Sequence, residues 1–159
     1  MRKLSILVLL PLLVLFACKG KESSSNEFKP VSEEECKEIQ GKLEAALSTK
    51  FDMTSEKASD SPKGSVCLLE AKGTGVNFEM MKTSETIQKT IGWESDIQYA
   101  ADGPTGTQSS MKKDKKVLVY NVGWEEASDA KCPDDKPISD CEIPPEKQNY
   151  TVTVSIGTL

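Results

Sequence analysis

Ser32-Glu33-Glu34-Glu35-Cys36-Lys37-Glu38-Ile39-Gln40-Gly41-Lys42-Leu43-Glu44-Ala45-Ala46-Leu47 is the stretch that decides the fold. Ser32 and Glu35 form a capping box: the hydroxyl accepts from the third helical amide, the glutamate reaches back, and three acids sit at the positive end of the helix dipole. Cys36, Ile39, Leu43, Ala46 and Leu47 then recur at spacings of three and four, which predicts one amphipathic helix with a single buried stripe. Gly41 costs about 1 kcal/mol against alanine but lies off that stripe. A disulfide from Cys36 would therefore tie the first helical turn to the core.

Outward from this helix the periodicity changes to two. Tyr150, Val152, Val154 and Ile156 alternate with Thr151, Thr153 and Ser155, which places the C-terminus in a sheet. Leu118, Tyr120, Val122 and Trp124 share one face of a strand over 117–124. Residues 65–72, carrying Val66, Leu68 and Leu69 around Cys67, read as a central strand, and Ile97, Tyr99 and Ala101 mark another over 93–101. After the turn Gly73-Thr74-Gly75, alternation of Val76, Phe78 and Met80 predicts a further strand and a hairpin. Residues 84–91 read as a short helix ended by Gly92, and 50–64 as a polar loop. The expected fold is α+β, a small antiparallel sheet of about five strands carrying one N-terminal amphipathic helix, stapled by disulfides. Gly92-Trp93-Glu94 recurs as Gly123-Trp124-Glu125, but the flanks do not match, so no repeat is inferred.

Composition narrows the function. Against 25 acids stand 20 basic residues, there is no histidine, and the single arginine is Arg2. The bidentate fork for phosphate and the usual base or metal ligand near neutral pH are thus missing from everything after residue 2. Nucleic-acid binding, Ser/His or Cys/His catalysis and His-liganded zinc lose their customary groups. The expectation is a protein that is not an enzyme, with no cofactor and no metal. Gly73-Thr74-Gly75 alone reads as a turn rather than a phosphate loop.

The first eighteen residues set the compartment. Arg2 and Lys3 precede an apolar run over 4–17 that contains Pro11 and is too short for an ordinary spanning helix, so 1–17 read as an export signal. Leu15, Ala17 and Cys18 resemble the lipobox of bacterial lipoproteins, with Phe16 closest to the looser spirochaete type. That resemblance is limited to the signal. It implies cleavage before Cys18, palmitate-type acyl chains on Cys18 and anchorage in a bilayer, since each buried methylene contributes about 0.8 kcal/mol and two or more chains hold for long times. Lys19 in place of an aspartate favours onward passage to the outer membrane. Residues 18–31, rich in serine and charge, are expected to be a flexible tether, and 32–159 a single globular domain.

Four cysteines remain: Cys36, Cys67, Cys132 and Cys141. In an exported chain they read as two disulfides with three possible connectivities, of which Cys36 with Cys67 and Cys132 with Cys141 is favoured. Two constellations are candidate partner-binding surfaces. Lys112, Lys113, Lys115 and Lys116 form a local positive patch that could meet a glycan, an anionic headgroup or an acidic protein, or serve as a solvated connection. Asp134, Asp135 and Asp140 lie between Cys132 and Cys141 in an acidic, proline-stiffened segment. Their spacing fits no calcium loop of the EF-hand kind, and a stiff stapled loop suits recognition because little entropy is lost on docking. The expected function is a lipid-anchored envelope protein binding a protein or glycan partner at the cell surface, of adhesin or surface-antigen type. The alternative is a periplasm-facing assembly or hydrolase-inhibitor lipoprotein.

Overall fold

The computed structural model describes residues 27–60, 63–75, 78–133 and 135–159. In chain order the elements are β1 (Lys29–Pro30), α1 (Glu33–Leu47), β2 (Asp52–Asp60), β3 (Lys63–Thr74), α2 (Met80–Ile91), β4 (Glu94–Gly103), β5 (Gly106–Lys113), β6 (Lys116–Glu126) and β7 (Gln148–Thr158). The strands form one seven-stranded sheet ordered β2-β3-β7-β6-β5-β4, with β1 added at the end of β7. Every strand pair is antiparallel. The last strand of the chain is therefore inserted between β3 and β6, and the sheet cannot close until it is in place.

Helix α1 starts as its capping box requires: Ser32 accepts from the Glu35 amide at 3.2 Å. The Glu35 carboxylate, however, turns to Lys116 instead of reaching back, at 2.6 and 2.8 Å. Cys36, Ile39 and Leu43 are the buried stripe. Leu47, half-buried, continues the stripe against the core, while Ala46 is exposed and falls outside it. Both helices lie on one face of the sheet, where Leu69, Met111, Leu118, Tyr120, Val122, Val152, Val154 and Ile156 form the core with Ile87 of α2. Fully burying each such side chain stabilises the fold by roughly 1.5–3 kcal/mol. On the opposite face a smaller cluster, Phe28, Val66, Val117 and Val119, is capped by Tyr99. Leu68, half-buried, shares that face, and beside it the face turns polar with Ser155, Thr153 and Thr151 of β7.

Several expectations need correction. The sheet has seven strands rather than about five, α1 is preceded by β1, and a second helix stands beside it. Residues 52–60, expected as loop, are edge strand β2; their exposed pattern, with Met53 and Ser59 the half-buried positions, hid the strand. Of the strand expected over 76–80, Phe78 and Glu79 lie in no strand and Met80 opens α2, while Val76 and Asn77 lie outside the described residues. The short helix expected over 84–91 is the C-terminal part of α2, ended by Gly92 at φ +64° as foreseen. Strand β5 has no apolar alternation to mark it, because two of its three buried positions, Thr107 and Ser110, are polar and only Met111 is apolar. Ordered structure also reaches ahead of Ser32, since Phe28 and Val31 are buried. Gly64, at φ +131°, is needed there: a Cβ would collide with the Phe28 backbone.

Candidate functional site

The candidate lysines gather at one place, the β5–β6 hairpin. Lys113 pairs with Lys116 across it, and Asp114-Lys115 make the turn, with Asp114 in the left-handed region at φ 56°. Asp tolerates this conformation better than most residues, which is why so tight a reversal can carry four lysines. Lys112, Lys113 and Lys115 are exposed. Lys116 is not available in the same way, because it is half-buried and ion-paired with Glu35 of α1. Glu38, one turn further along α1, has its carboxyl held below the usual range by Lys42, helped by Lys113 and Lys116.

The acidic candidates lie in the connection between β6 and β7, residues 127–147. Its base is tied three ways: the Ala127 amide donates to the Lys147 carbonyl at 2.8 Å, Lys147 pairs with Asp129, and Glu126 accepts from the Cys132 amide at 2.9 Å. The Lys147 ammonium holds the Asp129 carboxyl below the ordinary range. Beyond this base Cys132 and Cys141 are joined, enclosing a short helical turn at Ile138–Asp140. Asp135 and Asp140 are exposed on the closed loop, and Asp134 lies outside the described residues. Among the described residues no three metal-ligating side chains converge.

The two sets are not one site. Lys116 and Glu126 are the two ends of β6, and β7 pairs along its whole length. Eleven residues of strand put the lysine tip and the stapled loop about 34 Å apart.

The second pair of candidate cysteines is structural. Cys36 and Cys67 are joined with no exposed surface, bridging the first turn of α1 to β3. Cys18, the expected lipid site, lies outside the described residues. Among the described residues no helix is long and apolar enough to cross a membrane.

One concavity has no counterpart in the sequence pattern. A cleft of about 360 Å³ opens where α1 ends, lined by Leu47, Thr49, Thr74, Phe78, Thr83 and Tyr150 among others. Phe78 and Tyr150 stack there, ring centroids 4.3 Å apart and nearly parallel. Thr49 approaches the Tyr150 hydroxyl at 3.5 Å. Among the described residues its lining offers hydroxyls and aromatic surface, with the Tyr150 phenol the one ionisable side chain. It is assembled from the end of α1, the end of β3, α2 and β7, which no local pattern could reveal.

No protein-family profile, no curated protein and no solved structure matches this chain.

Proposed function

We propose that this chain is a lipid-anchored, non-catalytic bacterial envelope protein, held through Cys18, whose domain presents the stapled loop 127–147 to another macromolecule at the cell surface. The observation that carries the reading is the Cys36–Cys67 bond. An oxidised pair with no exposed surface, built into the contact between a helix and an internal strand, belongs to a fold assembled where thiols are oxidised. That agrees with the lipobox-like Leu15, Ala17 and Cys18, which is read from sequence alone.

Glu33, Glu38, Glu44 and Asp129 are shifted down by lysine or amide partners, the direction of a carboxylate held in an ion pair or amide contact. The loop fits recognition because its base is pinned and its middle is closed by the Cys132–Cys141 bond. A partner would freeze little that is not already fixed.

The test is metabolic labelling with a fatty acid in a bacterium that processes lipoproteins. Label on the wild-type chain and none on Cys18→Ala is expected; equal label on both would remove the anchor. A periplasm-facing assembly or inhibitor role uses the same loop, and cleavage of the loop by protease added to intact cells separates the two.

A further inference from the structure

We propose that the tip of the β5–β6 hairpin is a bilayer-facing surface, engaged by the anionic phospholipid headgroups of the membrane that holds Cys18, so that the stapled loop points away from it. This rests on the reading that Cys18 is acylated. Three observations place the tip there. The chain enters the fold at Phe28, whose amide donates to the Lys63 carbonyl at 2.9 Å, and continues into β1, which pairs with Gly157 and Thr158 at the end of β7. Thr158 pairs on its other side with Lys116, and the Leu159 amide donates to the Lys115 carbonyl at 2.9 Å. The entry point and the lysine tip are thus two strand spacings apart, about 10 Å.

Chain length then bounds the distance to the bilayer. From Cys18 to Glu27 the backbone covers at most about 31 Å when fully extended. The lysine pole is held within that reach, while the stapled loop stands about a further 34 Å away along β7.

Charge agrees with this orientation. At the lysine pole the acids Glu33 and Glu35 of α1 are paired with Lys37 and Lys116, and Glu38 with Lys42. Lys112, Lys113 and Lys115 are exposed at the tip and make no ion pair among the described residues, with Glu34, Glu94, Asp96 and Asp114 as the acids nearby in the fold; at the chain-entry side of this end Glu27 is paired with Lys63, beside Lys29 and Asp60. The far pole carries Glu125, Glu126, Asp129, Asp135, Asp140, Glu142 and Glu146 against Lys131, Lys136 and Lys147. An anionic surface attracts the first end and repels the second.

Amine acetylation of the acylated protein in vesicles, read residue by residue by mass spectrometry, tests the proposal. On vesicles with about 30% phosphatidylglycerol in phosphatidylcholine, Lys112, Lys113 and Lys115 should react about five-fold more slowly than on phosphatidylcholine alone. Lys131 and Lys136 should react equally on both. The protection should vanish near 0.5 M salt, where the screening length is about 4 Å. Equal reactivity of the three tip lysines on both vesicles, in protein that has partitioned into them, overturns the proposal and leaves the lipid anchor standing. Protein that enters neither vesicle overturns both. Protection seen only on adding a sulfated glycan or an acidic protein, and not on anionic vesicles, assigns the tip to a different partner and also overturns it.

Discussion

The Tyr120 hydroxyl is the polar centre of an otherwise apolar contact. Gln88 donates to it at 2.6 Å and Ser84 lies 2.9 Å away, so α2 is fixed to the sheet by two hydrogen bonds around a wholly buried ring. Tyr120→Phe leaves the buried Ser84 hydroxyl without its partner, while the exposed Gln88 amide can turn to water, and a loss of about 1–3 kcal/mol in a urea titration is expected. A second polar clamp works at the other helix. Gln40 donates to the Phe51 carbonyl at 2.7 Å, and Glu44 accepts from the Phe51 amide at 3.0 Å, so both backbone groups of a core phenylalanine are held by α1. The Phe51 amide, with Lys50 beside it, keeps the Glu44 carboxyl below the usual carboxylate range. A carboxyl whose folded pKa lies below its unfolded value stabilises the fold above the unfolded pKa, and that contribution is lost as pH falls through the folded value. Glu33, Glu38 and Asp129 act in the same sense. Melting temperature is therefore expected to fall below about pH 4.5 and to stay level between about pH 6 and 8, where a chain without histidine has no side chain of ordinary pKa to titrate. In Glu44→Gln the acid-side fall should be shallower, measured by melting across that range.

Elements with a buried apolar face were legible, and elements that bury little were not. Helix α1 and strand β7 follow the periods of their sequences because one whole face of each meets the core. Strand β2 lies at the sheet's edge with mostly exposed side chains, and so resembles a loop. Strand β5 buries Thr107, Ser110 and Met111, of which only the last is apolar; Ser110 is satisfied by donating to the Asp96 carbonyl at 2.6 Å. Phe78 and Met80 alternate as a strand would, yet a helix starts there because Ile87 and Ile91 further along need the core face. Of the candidate sites, the favoured disulfide pairing is the one formed, and the separation of lysines from acids is implicit in the strand read over 117–124, whereas the cleft at the end of α1 joins residues from four elements and depends on the packing of the whole fold.

Both sheet edges are also disrupted. Strand β2 shifts register between Thr54 and Lys57, and β4 between Asp96 and Ala101, where Tyr99 folds over the second cluster and Ile97 is left 87% exposed. Such bulges and charges discourage pairing with another chain. Replacing Glu56 and Lys57 together with valine is expected to produce larger species on size-exclusion chromatography at unchanged secondary structure. Ile97→Ser should leave stability within about 0.5 kcal/mol, since nothing is buried there to lose.

Over the whole molecule, stability depends on long-range closure: β7, last in sequence, completes the sheet's middle, and the Cys36–Cys67 bond joins the first helix to it. In the loop-entropy picture that bond contributes about 3.7 kcal/mol and the Cys132–Cys141 bond about 2.7 kcal/mol. The two should also respond differently to reductant. Cys132 and Cys141 are partly exposed on a surface loop, whereas Cys36 and Cys67 are sealed. Thiol trapping during mild reduction is expected to label Cys132 and Cys141 first and Cys36 and Cys67 only as the fold opens. The proposed anchor joins these features into one molecule: a domain oxidised outside the cytosol, tethered at its lysine pole, with a stapled loop at the other. Intact mass spectrometry of the protein isolated without reductant from the cell that makes it tests this most directly. A chain beginning at an acylated Cys18 and lacking one hydrogen at each of Cys36, Cys67, Cys132 and Cys141 is expected. A chain that begins at Met1, or carries an unmodified Cys18, would contradict it.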